Sequence, residues 1–308
     1  MARPLAALSQ QPGKIPRIGY LAHDAGPEKV FAQKLRELGY IEGRNIIVEY
    51  RIATGMHERL PEFADEMARS NVDVIVAPDP VSFRAAIKAT KTIPIVIRTN
   101  VDPVAAGMVA SLARPGGNVT GVFSLYTELY GKRMELLKEL APAANRIAVL
   151  LDGGFPNAKN LYATADQAAR ALGLVLQPVD VRSVEDINNA APAIARLRSQ
   201  GLMAIRAPVI HDNAGALAGL AMKTRLPAIF EDTAYVVAGG LMSYGADPLV
   251  QYGLTAVYVD KILKGARPSD LPIQQPTTLE LAINRKTANA LGIKIPNSIL
   301  VRADRVIE

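Results

Sequence analysis

Residues 102–124 read DPVAAGMVASLARPGGNVTGVFS. Asp102-Pro103 starts a short helix: Asp accepts hydrogen bonds as an N-cap, and Pro suits the first helical position. Arg114-Pro115-Gly116-Gly117-Asn118 is a turn cluster that ends it. Val119-Thr120-Gly121-Val122 is then a short β-branched strand. One run of alternating strands and helices precedes this stretch and a second follows it. Residues 121–125 therefore read as the first crossing between two lobes, with the function expected in the cleft between them.

Upstream, residues 15–22 (IPRIGYLA) form a buried strand that ends in the polar loop His23-Asp24-Ala25-Gly26-Pro27. Val30, Phe31, Leu35 and Leu38 recur at helical spacing, and Gly39 stops the helix. A strand over 45–50 and a helix over 58–70 follow. Residues 72–77 (VDVIVA) are too apolar to have a wet face, which places them centrally in a parallel sheet. After the loop Pro78-Asp79-Pro80-Val81, Ser82 opens a helix to residue 90, and 93–97 (IPIVI) is another buried strand.

Downstream, the second run begins after a helix over 128–140, with a strand at 146–151 (RIAVLL). It repeats the order of the first: a basic residue before an apolar strand, and a late strand opened by Pro (Ile93-Pro94-Ile95, Leu226-Pro227-Ala228). A helix over 184–199 contains Pro192, which would kink it. Alternation of strand and helix calls for parallel sheets covered on both faces. The expected fold is α/β, two doubly wound, Rossmann-like lobes. A helix over 249–263 and a returning strand over 277–283 suggest three crossings, near Val122, Gly245 and Gln274. This divides the chain into a lead-in at 1–14, a first lobe of 15–121 plus 246–273, and a second of 122–245 plus 274–308.

Composition narrows the function. A net charge of +6 on 308 residues is modest and spread out, with no run of five basic residues, so no nucleic-acid partner is indicated. No apolar run approaches the roughly 18 residues of a membrane span. The absence of Cys excludes thiolate metal sites and Cys nucleophiles, and fits an oxidising compartment. His23, His57 and His211 lie far apart with no metal-ligand spacing. There is no GxSxG, P-loop or HExxH, and Gly19-Tyr20-Leu21-Ala22-His23 stands where a dinucleotide fingerprint would follow the first strand. No catalytic residue, metal or cofactor is expected.

In open parallel sheets, ligands collect beyond the carboxyl ends of the strands, where helix N-termini offer free N–H groups to an anion. Ser82 is either a plain N-cap or, with the amides after it, a carboxylate holder. Asp79 is either solvated or a partner for a ligand ammonium. Asp102 is open to the same two readings, as a cap or as a partner for an amine, and Asn100 offers both a donor and an acceptor. His23 is a candidate because it follows the first strand. Phe123, Tyr126, Phe155 and Tyr235 are candidate apolar walls, each equally readable as core. Tyr244 meets a ligand or braces the hinge. Of Glu231 and Asp232, one binds and one caps a short helix. Ser124, Asn157 and Pro208 complete the set.

Several segments together carry a family resemblance: Pro16-Arg17-Ile18-Gly19-Tyr20-Leu21; Leu35-Arg36-Glu37-Leu38-Gly39-Tyr40 with Glu42-Gly43; Asp102-Pro103-Val104; Ser111 through Gly121 (SLARPGGNVTG); Ala238 through Gly245 (AGGLMSYG); and Tyr258 through Gly265 (YVDKILKG). From about residue 15 to the end, the chain resembles bacterial ABC-transporter substrate-binding proteins related to the tryptophan/tyrosine-binding type. The resemblance implies a type I periplasmic-binding-protein fold with a three-segment hinge. It also implies no catalysis, and closure on a small carboxylate-bearing solute, amino acid or aromatic acid-like. A monomer would deliver that solute to a membrane permease from the periplasm. The N-terminus MARPLAALSQQPGK is expected to be a trimmed or mis-started export signal. Two departures stand out: relatives carry small residues where Pro78-Asp79-Pro80-Val81-Ser82 stands, and often Gly where Val101 stands. The ligand can differ accordingly.

Three rivals use similar lobes. A two-lobed enzyme would need a phosphate loop or a nucleophile. A repressor-type regulator would need a DNA-binding helix-turn-helix, and about 14 leading residues are too few. A ligand-sensing domain for a receptor differs from a transport component only in its partner.

Overall fold

Every side chain of the run VIVA, Val74–Ala77, is buried, as a strand without polar alternation must be when both faces of its sheet are covered. The computed structural model describes residues 14–99, 102–124, 126–155, 158–275 and 278–308. The chain divides into two compact units. Unit 1 comprises Met1–Phe123 and Leu249–Gln275, and unit 2 comprises Ser124–Pro248 and Pro276–Glu308.

The chain opens with β1 (Arg17–Ala22), α1 (Pro27–Glu37), β2 (Ile47–Ile52), α2 (Leu60–Arg69), β3 (Val74–Ala77), α3 (Pro80–Ala89), β4 (Ile95–Thr99) and β5 (Val119–Phe123). These strands make a five-stranded sheet, order β2-β1-β3-β4-β5, in which every pair is parallel. β3 is the middle strand, where its composition predicts it. Ile18, Tyr20, Phe31, Val74, Val76 and Val96 form the core of this unit with Ala256, Tyr258 and Val259.

The second run comprises α4 (Tyr130–Leu140), β6 (Arg146–Leu151), α5 (Ala158–Ala171), β7 (Val175–Asp180), α6 (Val184–Asn189), α7 (Ala191–Arg196), β8 (Gly201–Ala204), α8 (Pro208–His211), α9 (Ala214–Thr224), β9 (Ala228–Phe230), α10 (Thr233–Val237) and β10 (Met242–Gly245). Then come α11 (Pro248–Leu263), β11 (Glu280–Asn284), α12 (Arg285–Leu291), α13 (Asn297–Leu300) and β12 (Arg305–Ile307). The second sheet has seven strands, order β12-β11-β10-β9-β8-β6-β7. Met134, Leu137, Ile147, Val149 and Met203 fill one face, and Leu150, Ile187, Leu217 and Phe230 the other.

Three features differ from the sequence reading. The helix expected from Asp102 is a succession of turns. Asp102 Oδ1 does accept from the amides of Val104 and Ala105, but Gly107 takes φ +67° and ends the helical path after one turn. The helix over 184–199 is two helices, α6 and α7, meeting at Ala190, because Pro192 has no N–H to continue the ladder. The second sheet is not wholly parallel: β11 runs antiparallel to β10. The connection from β10 to β11 runs through α11, which belongs to unit 1 rather than covering this sheet, so the rule that makes crossover-linked strands parallel does not bind β11. Two of the segments on which the chain passes between units run side by side in unit 1, with Phe123 N–H donating to the Gln274 carbonyl at 2.9 Å and Gln274 N–H to that of Gly121 at 2.9 Å. No helix of the described residues is long and apolar enough to cross a membrane.

Candidate functional site

In unit 1, the candidate groups stand where β1, β3 and β4 end. Asp79, one residue past the loop's first Pro, has extended backbone and is the N-cap of α3. Its Oδ1 accepts from the amides of Val81 (3.0 Å) and Ser82 (2.8 Å), and its Oδ2 from the Ser82 hydroxyl (2.6 Å) and the His23 amide (3.1 Å). The His23 ring places Nδ1 3.2 Å from the same Oδ2 and Nε2 3.1 Å from Asp24 Oδ2. Burial alone would push the Asp79 carboxyl up. The hydrogen bonds and charge of His23, with the hydrogen bonds of Ser82, outweigh burial and hold it below the usual carboxylate range.

This corrects the reading of Ser82. It is not the cap but the third residue of α3, and its hydroxyl and amide are both engaged by Asp79. The first-turn amides that would have suited a solute carboxylate are therefore taken within the chain. His23 and His57, 34 residues apart in sequence, bring their rings to 5.5 Å. Arg98, which the sequence reading passed over, is buried in β4 with its guanidinium 4.7 Å from the centre of the Tyr252 ring. Asn100 lies outside the described residues. Asp102 caps its own turn, and Phe123 is buried at the end of β5.

In unit 2, the strand ends of β8 and β9 present Arg206, Glu231 and Asp232. Arg206 Nη1 donates to Glu231 Oε1 at 2.8 Å and stands 3.6 Å from Asp232 Oδ2. The guanidinium lies over the Tyr126 ring, 4.8 Å from its centre. The side chains of Arg206, Glu231 and Asp232 are 13%, 5% and 0% exposed. Asp232 also caps α10, accepting from the Ala234 amide at 3.0 Å. The two acids thus divide the roles: Asp232 holds the helix while Glu231 pairs with the cation. Burial first, and then the charge of Glu231, push the Asp232 carboxyl up to about 6. Burial would lower the Arg206 pKa, but Glu231 and the surrounding phenols and Asp232 outweigh it and hold the group above its ordinary value.

The Tyr235 hydroxyl lies 3.4 Å from both the Ile210 carbonyl and Glu231 Oε1. Its ring is stacked on Phe230 at 5.0 Å. A second cation, Arg133, is buried behind the acids: its Nε donates to the Tyr244 carbonyl at 2.8 Å and its Nη1 to that of Tyr126 at 3.4 Å. Its burial lowers its pKa against the pull of Glu231. Ser124 is buried, Phe155 is half-buried in the loop after β6, and Pro208 is exposed at the start of α8. Asn157 lies outside the described residues. His211, Glu231 and Asp232 hold possible ligand atoms within 4.8 Å of one another, but the Arg206 guanidinium already stands against the acid pair in the place a cation would take.

The structure therefore gathers Tyr126, Tyr235, Glu231 and Asp232 around Arg206 in unit 2, and His23, Asp79 and Ser82 around the start of α3 in unit 1. Sequence reasoning missed Arg206, Arg133 and Arg98. The signal for Arg206 was a charged residue between Ile205 and Ala207, directly after a buried strand. Arg133 gave no signal, since it reads as an ordinary helix-surface Arg.

A family model described as ABC transporter substrate binding protein matches residues 17–307. The tyrosine-binding protein of Clostridioides difficile (strain R20291) is 27% identical over 274 residues, covering 87% of this chain and 76% of that protein. A crystal structure of a conserved domain protein from Vibrio cholerae aligns with TM-score 0.83 at 30% identity, covering 95% of this chain and all of that one. The structure of an ABC domain in complex with L-Trp from Streptococcus pneumonia aligns with TM-score 0.82 at 26% identity, covering 95% of this chain and 99% of that one.

Proposed function

This chain belongs to the ABC transporter substrate-binding proteins, and from that premise we propose that its solute is a small amino acid or aromatic acid-like molecule carrying a carboxylate. The observation that carries this reading is the Arg206–Glu231–Asp232 group beside Tyr126 and Tyr235. A zwitterion needs both a cation and an anion, a planar side chain needs an aromatic wall, and few aimed polar groups in an apolar setting are how such sites select. The tyrosine-binding and L-Trp-bound relatives support the same class. Within unit 1, Asp79 and Ser82 shape the loop at the start of α3 and tie it to His23.

In this reading the protein is a monomer exported to the periplasm. It leaves the bonds of its solute intact and hands it to a membrane permease. The test is calorimetric titration of the purified chain with L-tyrosine, L-tryptophan, branched amino acids and aromatic acids, together with native mass spectrometry for co-purified solute. Saturable binding of a carboxylate-bearing member of the panel, released unaltered, is expected. A chain that binds none of them, or returns a chemically changed product, overturns the reading.

A further inference from the structure

We propose that Arg206 is the group that reads the solute's carboxylate, through the edge of its guanidinium formed by Nε and Nη2; this rests on the carboxylate-bearing class proposed above. Among the described residues, Nη1 is the only nitrogen of that guanidinium with a hydrogen-bond partner, Glu231 Oε1. The N–H groups on the Nε–Nη2 edge point to no protein acceptor, although the side chain is only 13% exposed. Neither nitrogen is sealed from solvent, so the edge is open to a solute, and one that displaces water from it must offer acceptors in return. A carboxylate offers two oxygens at the spacing of two parallel N–H groups, which is the partner that edge is shaped for.

The edge is also held in place before any solute arrives. Glu231 fixes one corner of the guanidinium at 2.8 Å, and the Tyr126 ring fixes its plane from 4.8 Å. Groups fixed in advance lose less freedom on binding. The acid pair does not repel an incoming anion, because two cations balance it. The second is Arg133, whose Nη2 is buried and has no hydrogen-bond partner among the described residues, and which faces Glu231 and Asp232. The helix start of unit 1 is the other candidate for a carboxylate, and Asp79 has already taken its first-turn amides.

The experiment compares L-tyrosine and L-tryptophan with tyrosinamide and tryptophanamide, which keep everything but the carboxylate charge. The native chain should bind the acids roughly 10- to 100-fold more tightly than the amides. In Arg206→Gln that ratio should collapse to near one, with amide affinity little changed. Arg206→Lys keeps a charge beside Glu231 but lacks the two-pronged edge, so an intermediate ratio is expected; it also serves if Arg206→Gln does not fold. A merely structural Arg206 would weaken acid and amide alike and leave the ratio unmoved, which overturns the inference while the solute class stands. If the native chain binds none of these compounds and co-purifies with a solute lacking a carboxylate, the solute class and the inference fall together.

Discussion

The Nδ1 atom of His23 lies 3.2 Å from Oδ2 of Asp79, so the loop after β1 is tied to the carboxylate that caps α3. Replacing Asp79 by Ala removes the cap and strands the amides of Val81, Ser82 and His23. A loss of about 2 kcal/mol in urea unfolding is expected. Asp79→Asn keeps the Oδ1 acceptor and should lose less. The folded carboxyl lies below its ordinary pKa, so its contribution is present at neutral pH and lost as pH falls below about 4. The gap between the native chain and Asp79→Asn should therefore narrow in acid. A gap that widens there would contradict the cap's charge.

Asp232 has the opposite sign. Its folded pKa, about 6, lies above the unfolded value, so the folded state binds the extra proton and stability falls as pH rises from about 4 to about 6. Asp232→Asn keeps an oxygen for the Ala234 amide and removes the buried charge. It should match the native chain near pH 4 and exceed it by about 1–3 kcal/mol at pH 7.5. Denaturant melts at the two pH values decide; a variant less stable than the native chain at pH 7.5 would show that the charge is worth more to the fold than its burial costs.

Gly245 ends β10 against β9, and a Cβ built on it would stand 1.9 Å from the Glu231 carbonyl oxygen and 3.3 Å from Arg133 Nη2. Gly245→Ala must push the Glu231 turn away from its strand. A loss of about 3 kcal/mol in stability is expected, with weakened solute binding because Glu231 positions Arg206. A thermal midpoint within about 2 °C of the native chain would mean that the turn gives way freely.

The Tyr20 hydroxyl is buried without a hydrogen-bond partner among the described residues, and burial drives its pKa far above the ordinary value. Tyr20→Phe keeps the ring against Phe31 and Tyr50, 5.1 and 5.7 Å away. The substitution should leave stability unchanged or raise it by up to about 1 kcal/mol. Equilibrium unfolding that shows a clear loss would reveal a partner for the hydroxyl.

What could be read along the chain was whatever depends on near neighbours. The run VIVA announced a strand buried on both faces, and β3 is the centre of its sheet. Asp102 announced a cap and is one, but Gly107 turned the expected helix into turns. The pair Glu231-Asp232 announced one binder and one cap, and Asp232 is the cap. Neither β12 nor the antiparallel placing of β11 was legible, because three-residue strands and strand direction are decided by what a segment packs against.

Alternation of apolar strands with helices, closed off by Gly and Pro, was enough by itself to determine the class of fold: each element must bury one face, and largely parallel sheets covered by helices bury them. The tertiary structure alone decided which charges meet. Arg133, Arg206 and Glu231 are separated by 73 and 25 residues in the chain, and no local pattern records that Arg206 and Glu231 end 2.8 Å apart with Arg133 facing the same carboxylate. Partnership between buried charges is a property of the assembled strand ends, where leaving either sign without the other costs several kcal/mol.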